Sequence, residues 1–142
     1  MTVPLHLVKL CVGIEHVDEL AKWQNQRWRE KRELQHITRM TPRRQAELLA
    51  GGSLFWVIKG YIQARQKLVD LRPLTDAEGV ARCALILDPK LVRTRPQPRR
   101  PFQGWRYLAS EEAPPDLPSG KGKAIAALPP EMAAELMQLG LL

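Results

Sequence analysis

The stretch Ser53–Leu71, SLFWVIKGYIQARQKLVDL, decides the fold. Aromatic and β-branched side chains crowd its first part, 53–58, and mark a strand. Gly60 in the middle reads as a bulge or a tight bend. Beyond it Ile62, Ala64 and Leu68 alternate with Tyr61, Gln63, Arg65 and Lys67, giving one core face and one polar, basic face. Thr75–Gly79 is a turn, and Val80–Leu87 returns with Cys83, Leu85 and Leu87 on one side. Strands are expected at 53–58, 61–71 and 80–87, the last two paired as an antiparallel hairpin.

Working outward, Leu5–Gly13 (LHLVKLCVG) is apolar on both alternating faces and reads as a buried strand. A helical stretch follows from about Glu15 to Leu34. Val17, Leu20, Ala21, Gln24 and Trp28 fall at helical spacing, so its first half packs on a core. From Gln24 onward the segment is almost wholly polar, a solvated helix or loop. Thr41 fits an N-cap, Pro42 the first helical position, and Gly51 the residue past the end. That short helix, Pro42–Ala50, is expected to bury Ala46, Leu49 and Leu48 and to show Arg43 and Arg44 to solvent.

After Asp88-Pro89 the chain changes character. Arg93, Arg95, Arg99, Arg100 and Arg106 interleave with Pro96, Pro98 and Pro101, then with Phe102, Trp105 and Tyr107. Proline at this density favours an extended, polyproline-like path that re-enters the sheet near Trp105–Leu108. The expected organisation is one basic domain over 1–110, a Pro/Gly-rich linker over 111–128, and a C-terminal helix over 129–142. Met132, Ala133, Leu136, Met137 and Leu139 would dock that helix on the domain or on a protein partner. The fold class is α+β: a small, mostly antiparallel, partly closed sheet with two or three flanking helices.

The chain has 142 residues, 44% apolar and 26% charged, the make-up of a globular domain rather than a fibrous or disordered one. It has neither a long apolar run nor a secretory leader, so a cytoplasmic protein that does not engage a membrane is expected. Two cysteines exclude a disulfide scaffold and a four-cysteine zinc site. The net charge is +7. Between Lys22 and Arg106 there are 19 basic against 7 acidic side chains, so the excess is concentrated in the middle of the chain. A segment this basic suits a polyanionic partner, nucleic acid first and an anionic membrane surface second. A solubility role for the charge is the competing explanation.

Catalytic chemistry is poorly represented. His6, His16 and His36 have no metal-ligand spacing with each other or with the cysteines, and no metal or cofactor is expected. Cys11 and Cys83 lie in apolar strand patterns, where a free cysteine is a small buried hydrophobe. Ser53 lacks the Gly-x-Ser-x-Gly elbow. Ser119–Lys123 lacks the full phosphate-loop spacing. Glu15, Asp18 and Glu19 suit the first turn of a helix.

The arginine–aromatic interleaving has a mechanism. Arginine supplies a fixed fork of donors to phosphate. Trp and Tyr supply flat faces to unstacked bases. The candidate nucleic-acid contacts are Arg93, Arg95, Arg99, Arg100, Arg106 and Trp105, extended by the Gln63/Arg65/Lys67 face and by Arg43, Arg44, Trp56 and Lys59. Trp56, between Phe55 and Val57, is read as core before ligand contact. Trp105 fits either role.

The residues GGSLFWVIKGYIQARQKLVDL, then RCALILDP and RPFQGWRYL, resemble an uncharacterised family of small bacterial proteins known as a domain of unknown function (number 1489). The resemblance covers roughly Leu5 to Leu108 and carries no catalytic residues with it. A short helix ending at Gly51-Gly52 and leading into a strand with Lys59 and Arg65 also looks like the opening of PUA-like barrels. That likeness implies an RNA-binding or base-reading domain, with Trp56, Arg65 and Trp105 as base and phosphate contacts. The expected function is a non-catalytic nucleic-acid-binding module, for RNA or an exposed or modified base. The alternatives are a small enzyme acting on a nucleotide or other phosphorylated substrate in the same basic cleft, and a protein-interaction adaptor.

Overall fold

The computed structural model describes residues 4–117 and 128–139. Its strands are β1 (His6–Leu10), β2 (Leu34–Thr38), β3 (Ser53–Ile58), β4 (Tyr61–Thr75), β5 (Ala81–Leu87), β6 (Val92–Pro98) and β7 (Trp105–Leu108). Its helices are α1 (Val17–Lys31), α2 (Gln45–Leu49) and α3 (Pro130–Gln138), with a 3-10 turn at Ser110–Glu112. The strands form one mixed sheet of order β2-β5-β4-β3-β1-β7, with β6 also paired to β4. Among the described residues only β1 and β3 run parallel; the other pairings are antiparallel. The path ends at β2 and β7 without joining them, so the expected partial closure is absent among the described residues.

The decisive stretch folds as three strands, and β4 organises the rest. Over residues 61–65 it is flanked by β3 and by β6, and over 68–75 it pairs with β5. The β3–β4 connection is the two-residue turn Lys59-Gly60, both with positive φ (52° and 82°). That is the backbone of a type I′ hairpin, whose twist matches that of its strands. Gly60 is therefore a turn residue rather than a bulge inside one strand; the irregularity in pairing lies at Trp56/Val57.

Every residue of β3 is buried. Leu54, Trp56 and Ile58 face one core, with Val17 and Leu20 of α1 and Leu34, Leu68, Leu85 and Leu87 of the sheet. Phe55 and Val57 face a second core with Val8, Ile62 and Leu108. Burial of each such side chain stabilises the fold by about 1.5–3 kcal/mol. Gly52 is required by close approach: a Cβ there would collide with the backbone carbonyls of Leu5 and Leu48.

Three expectations need correcting. Leu34 does not end α1 but begins β2, because Arg32 takes a left-handed conformation (φ 55°) that stops the helix without a glycine. The short helix begins at Gln45, not Pro42, since Arg44 before it has a non-helical backbone (φ −87°, ψ 52°); the Tyr107 hydroxyl accepts the Arg43 and Arg44 backbone N–H groups (3.0 and 3.2 Å). Of its apolar residues Leu48 is buried, whereas Ala46 and Leu49 are exposed.

The Pro-rich run is a true strand, β6. It tolerates Pro96 and Pro98 because its outer side meets the tail instead of a full strand. There Arg95 N–H donates to Pro115 O (2.9 Å), and Leu117 N–H to Arg93 O (3.0 Å). Residues 113–117 thus pack against the domain; 118–127 of the expected linker lie outside the described residues. In α3, Ala133 is buried against Leu117 and Leu128, while Met132 is exposed.

Candidate functional site

The polar half of α1 has a structural reason. Gln24 is buried opposite Gln66 of β4, each amide donating to the other's oxygen at 2.7 Å. The Trp56 indole N–H donates to the same Gln66 oxygen at 2.8 Å, and the Gln66 amide also reaches Asp88 O at 3.1 Å. Gln66 spends its full capacity here. Gln24 keeps one N–H and one lone pair.

Gln24 also lines a cavity of about 570 Å³ between α1, the end of β1, β2 and Trp56. Leu20, Leu34, Leu87 and Trp56 give it an apolar lining, while Lys9, Arg27 and Lys31 supply cations. The size and mixed lining are those of a small-ligand site. Glu33, the lining carboxylate, accepts from Arg72 at 2.9 Å.

His36 projects from β2 and meets the Trp56 ring edge-on, centroids 5.1 Å apart at 90°. Its Nε2 is buried with no hydrogen-bond partner among the described residues. Burial, reinforced by Lys9, pushes the imidazole pKa down to about 4, so the ring is neutral at pH 7. Burial likewise lowers Lys9, and it raises the Cys11 thiol to about 11. At the mouth, Trp23 is 49% exposed and Val12 is 88% exposed. The Arg27 guanidinium lies 4.5 Å from the Trp23 ring centroid.

Of the sequence-expected contacts, Trp56 is both core and cavity wall. Arg65 is held by Asp116 through two bonds of 2.7 Å and by Ser53 Oγ at 3.1 Å. Arg93 is ion-paired with Asp18. Trp105 packs against the core, donates to Met40 O at 2.8 Å and meets Tyr107 edge-on. Arg44 bonds Glu47 (2.9 Å) and lies over Tyr107; Lys59 is 4.0 Å from Glu15. Arg43, Lys67, Arg95 and Arg100 are exposed. Arg99 and Arg106 both lie over the Phe102 ring, which brings them together on one surface.

Where Gln63 meets Arg93 and Thr94 there is a small pocket of about 40 Å³; the large cavity is elsewhere. Sequence reasoning missed Lys9, Trp23, Gln24, Arg27 and His36 as a group. The available signal was polarity at core spacing: Gln24 on the apolar stripe of α1, and Gln66 between Ala64 and Leu68. Among the described residues, no three His, Cys, Asp or Glu side chains gather as a metal site. Among the same residues no helix is long and apolar enough to cross a membrane.

Fold and cavity together define an α+β protein with an open mixed sheet and an aromatic, cation-rimmed recess under its long helix. The chain belongs to the family described as "Protein of unknown function (DUF1489)", whose pattern it matches over residues 7–142. The match takes in the tail after Glu111, which sequence reading had placed outside the family. No curated protein and no solved structure matches the chain.

Proposed function

We propose that this protein is a non-catalytic module that binds nucleic acid by taking one exposed base into the cavity beneath α1. The observation that carries the reading is the make-up of the cavity lining. It combines a neutral His36 imidazole, the Gln24 amide and the Trp56 ring, side by side in one lining. Arg27 and Lys31 stand at the same recess to meet phosphate. A flat, polar-edged ligand attached to an anion suits that set. RNA is the favoured source, since single-stranded loops and ends offer unstacked bases.

The raised Cys11 pKa supports binding over catalysis, because a protonated thiol is a poor nucleophile even with His36 in the same cavity. Kinship with PUA-like domains is part of the proposal; the order α2, Gly51-Gly52, β3 supports it and the open sheet does not. So is a cytoplasmic location, which two free cysteines favour.

The test is titration of short RNA oligonucleotides into the purified protein at two salt concentrations, beside the His36→Leu variant. Binding is expected to weaken with salt by a log–log slope of about −0.7 per phosphate met. His36→Leu should weaken it roughly tenfold. Absence of binding at low salt, or an unaffected variant, overturns the reading.

A further inference from the structure

We infer that the ligand is a single-stranded oligonucleotide of at least two nucleotides rather than a free nucleotide, with α1 as the ledge for the neighbouring nucleotide. This rests on the base-binding reading above. Trp23, Arg27 and Lys31 recur every fourth residue on α1 and so form one stripe, with about 6 Å of rise between successive members. All three line the cavity and all three are exposed. Gln24, next in sequence to Trp23, is the group turned inward. One helix therefore offers a recess for one base and, a residue away, an open indole for the next.

The indole is prepared for stacking. The Arg27 guanidinium lies over its ring and restrains it. A guanidinium covers one face only, and a residue 49% exposed keeps area for a second planar group. Beyond Trp23 the stripe is cationic, as a phosphate path requires. The residue one turn before Trp23 is Glu19, so the strand is directed from Trp23 toward Lys31. Glu33, at the far end, is bonded to Arg72, which it shares with Asp70, so its charge is offset in part.

The experiment compares, for each of the four bases, a nucleoside monophosphate, the dinucleotide, a single-stranded hexanucleotide, and that hexanucleotide in duplex form, at low salt. The single-stranded hexanucleotide is expected to bind roughly tenfold or more tighter than the monophosphate. Trp23→Ala should bring the hexanucleotide-to-monophosphate affinity ratio toward one with the unfolding midpoint unchanged, and Trp23→Phe should keep most of the ratio. Equal affinity for monophosphate and hexanucleotide, a duplex bound as tightly as the single strand, or a Trp23→Ala variant with the full gain overturns the ledge while the cavity reading stands. Failure of every probe to bind overturns both.

Discussion

Gln24 and Gln66, 42 residues apart, face each other as a closed pair of primary amides with both bonds at 2.7 Å. The pair ties α1 to β4 and fixes the indole of Trp56 through the shared Gln66 oxygen. It converts a polar helix with little apolar surface into the roof of a recess. A buried polar network of this kind is stabilising only while every member is satisfied.

Gln66→Leu is therefore expected to destabilise the protein by roughly 1–3 kcal/mol for each buried group left without a partner, the Gln24 amide, the Trp56 indole and the part-buried Asp88 carbonyl being the three concerned. The double variant Gln24→Leu/Gln66→Leu should be less unstable than the sum of the singles. Urea unfolding of the four proteins measures this. Strict additivity would falsify the view that the two amides act as one unit.

Stability should fall on acidification between about pH 6.5 and pH 4. The folded pKa of His36 is depressed to about 4 by burial, so across that window the unfolded chain binds more protons than the folded one. The contribution is full above 6.5 and lost as pH falls through 4, at most roughly 3 kcal/mol. His6, lowered by burial and then by Arg65, adds in the same direction; its Nδ1 accepts the Ser53 N–H at 2.9 Å. Unfolding midpoints against pH should be flatter in His36→Leu, with His6 leaving a residual slope.

Trp105→Ala should act on folding rather than on stacking. Its N–H holds Met40 O and its ring braces Tyr107, whose hydroxyl in turn accepts the two N–H groups before α2. Tyr107→Phe, which removes only that acceptor, should cost about 0.5–1.5 kcal/mol and raise hydrogen exchange at Arg43 and Arg44. Unchanged exchange at both amides would show that the hydroxyl does not hold them.

Two basic surfaces can be separated by charge removal. Arg27→Ala/Lys31→Ala should make the salt slope of oligonucleotide binding shallower by about 1.4, two phosphates at roughly 0.7 each. Arg99→Ala/Arg100→Ala, beside Phe102 and outside the cavity lining, should leave the slope unchanged. The reverse result would move the interface to the β6–β7 loop.

The central strands were legible because their information is local. In 53–71 and 80–87 the period-two pattern names the faces, and the turn chemistry at Lys59-Gly60 and Thr75–Gly79 brings neighbours in sequence into register. The basic character of residues 22–106 was equally a property of the chain alone. Tertiary structure decided which charges remain available. Arg65 and Arg93 look free in sequence, yet Asp116 and Asp18 stand 51 and 75 positions from them, and a pairing over such distances has no local signature. The same holds for β6, whose prolines argue against a strand until β4 on one side and residues 113–117 on the other supply its partners. The recess is the extreme case. Its walls come from β1, α1, β2 and β3, and its chemistry arises only because folding desolvates His36 beside Lys9 and turns Gln24 toward Gln66. Local pattern sets which faces are apolar, whereas proximity across the fold sets which polar groups are satisfied and which are left open for a ligand.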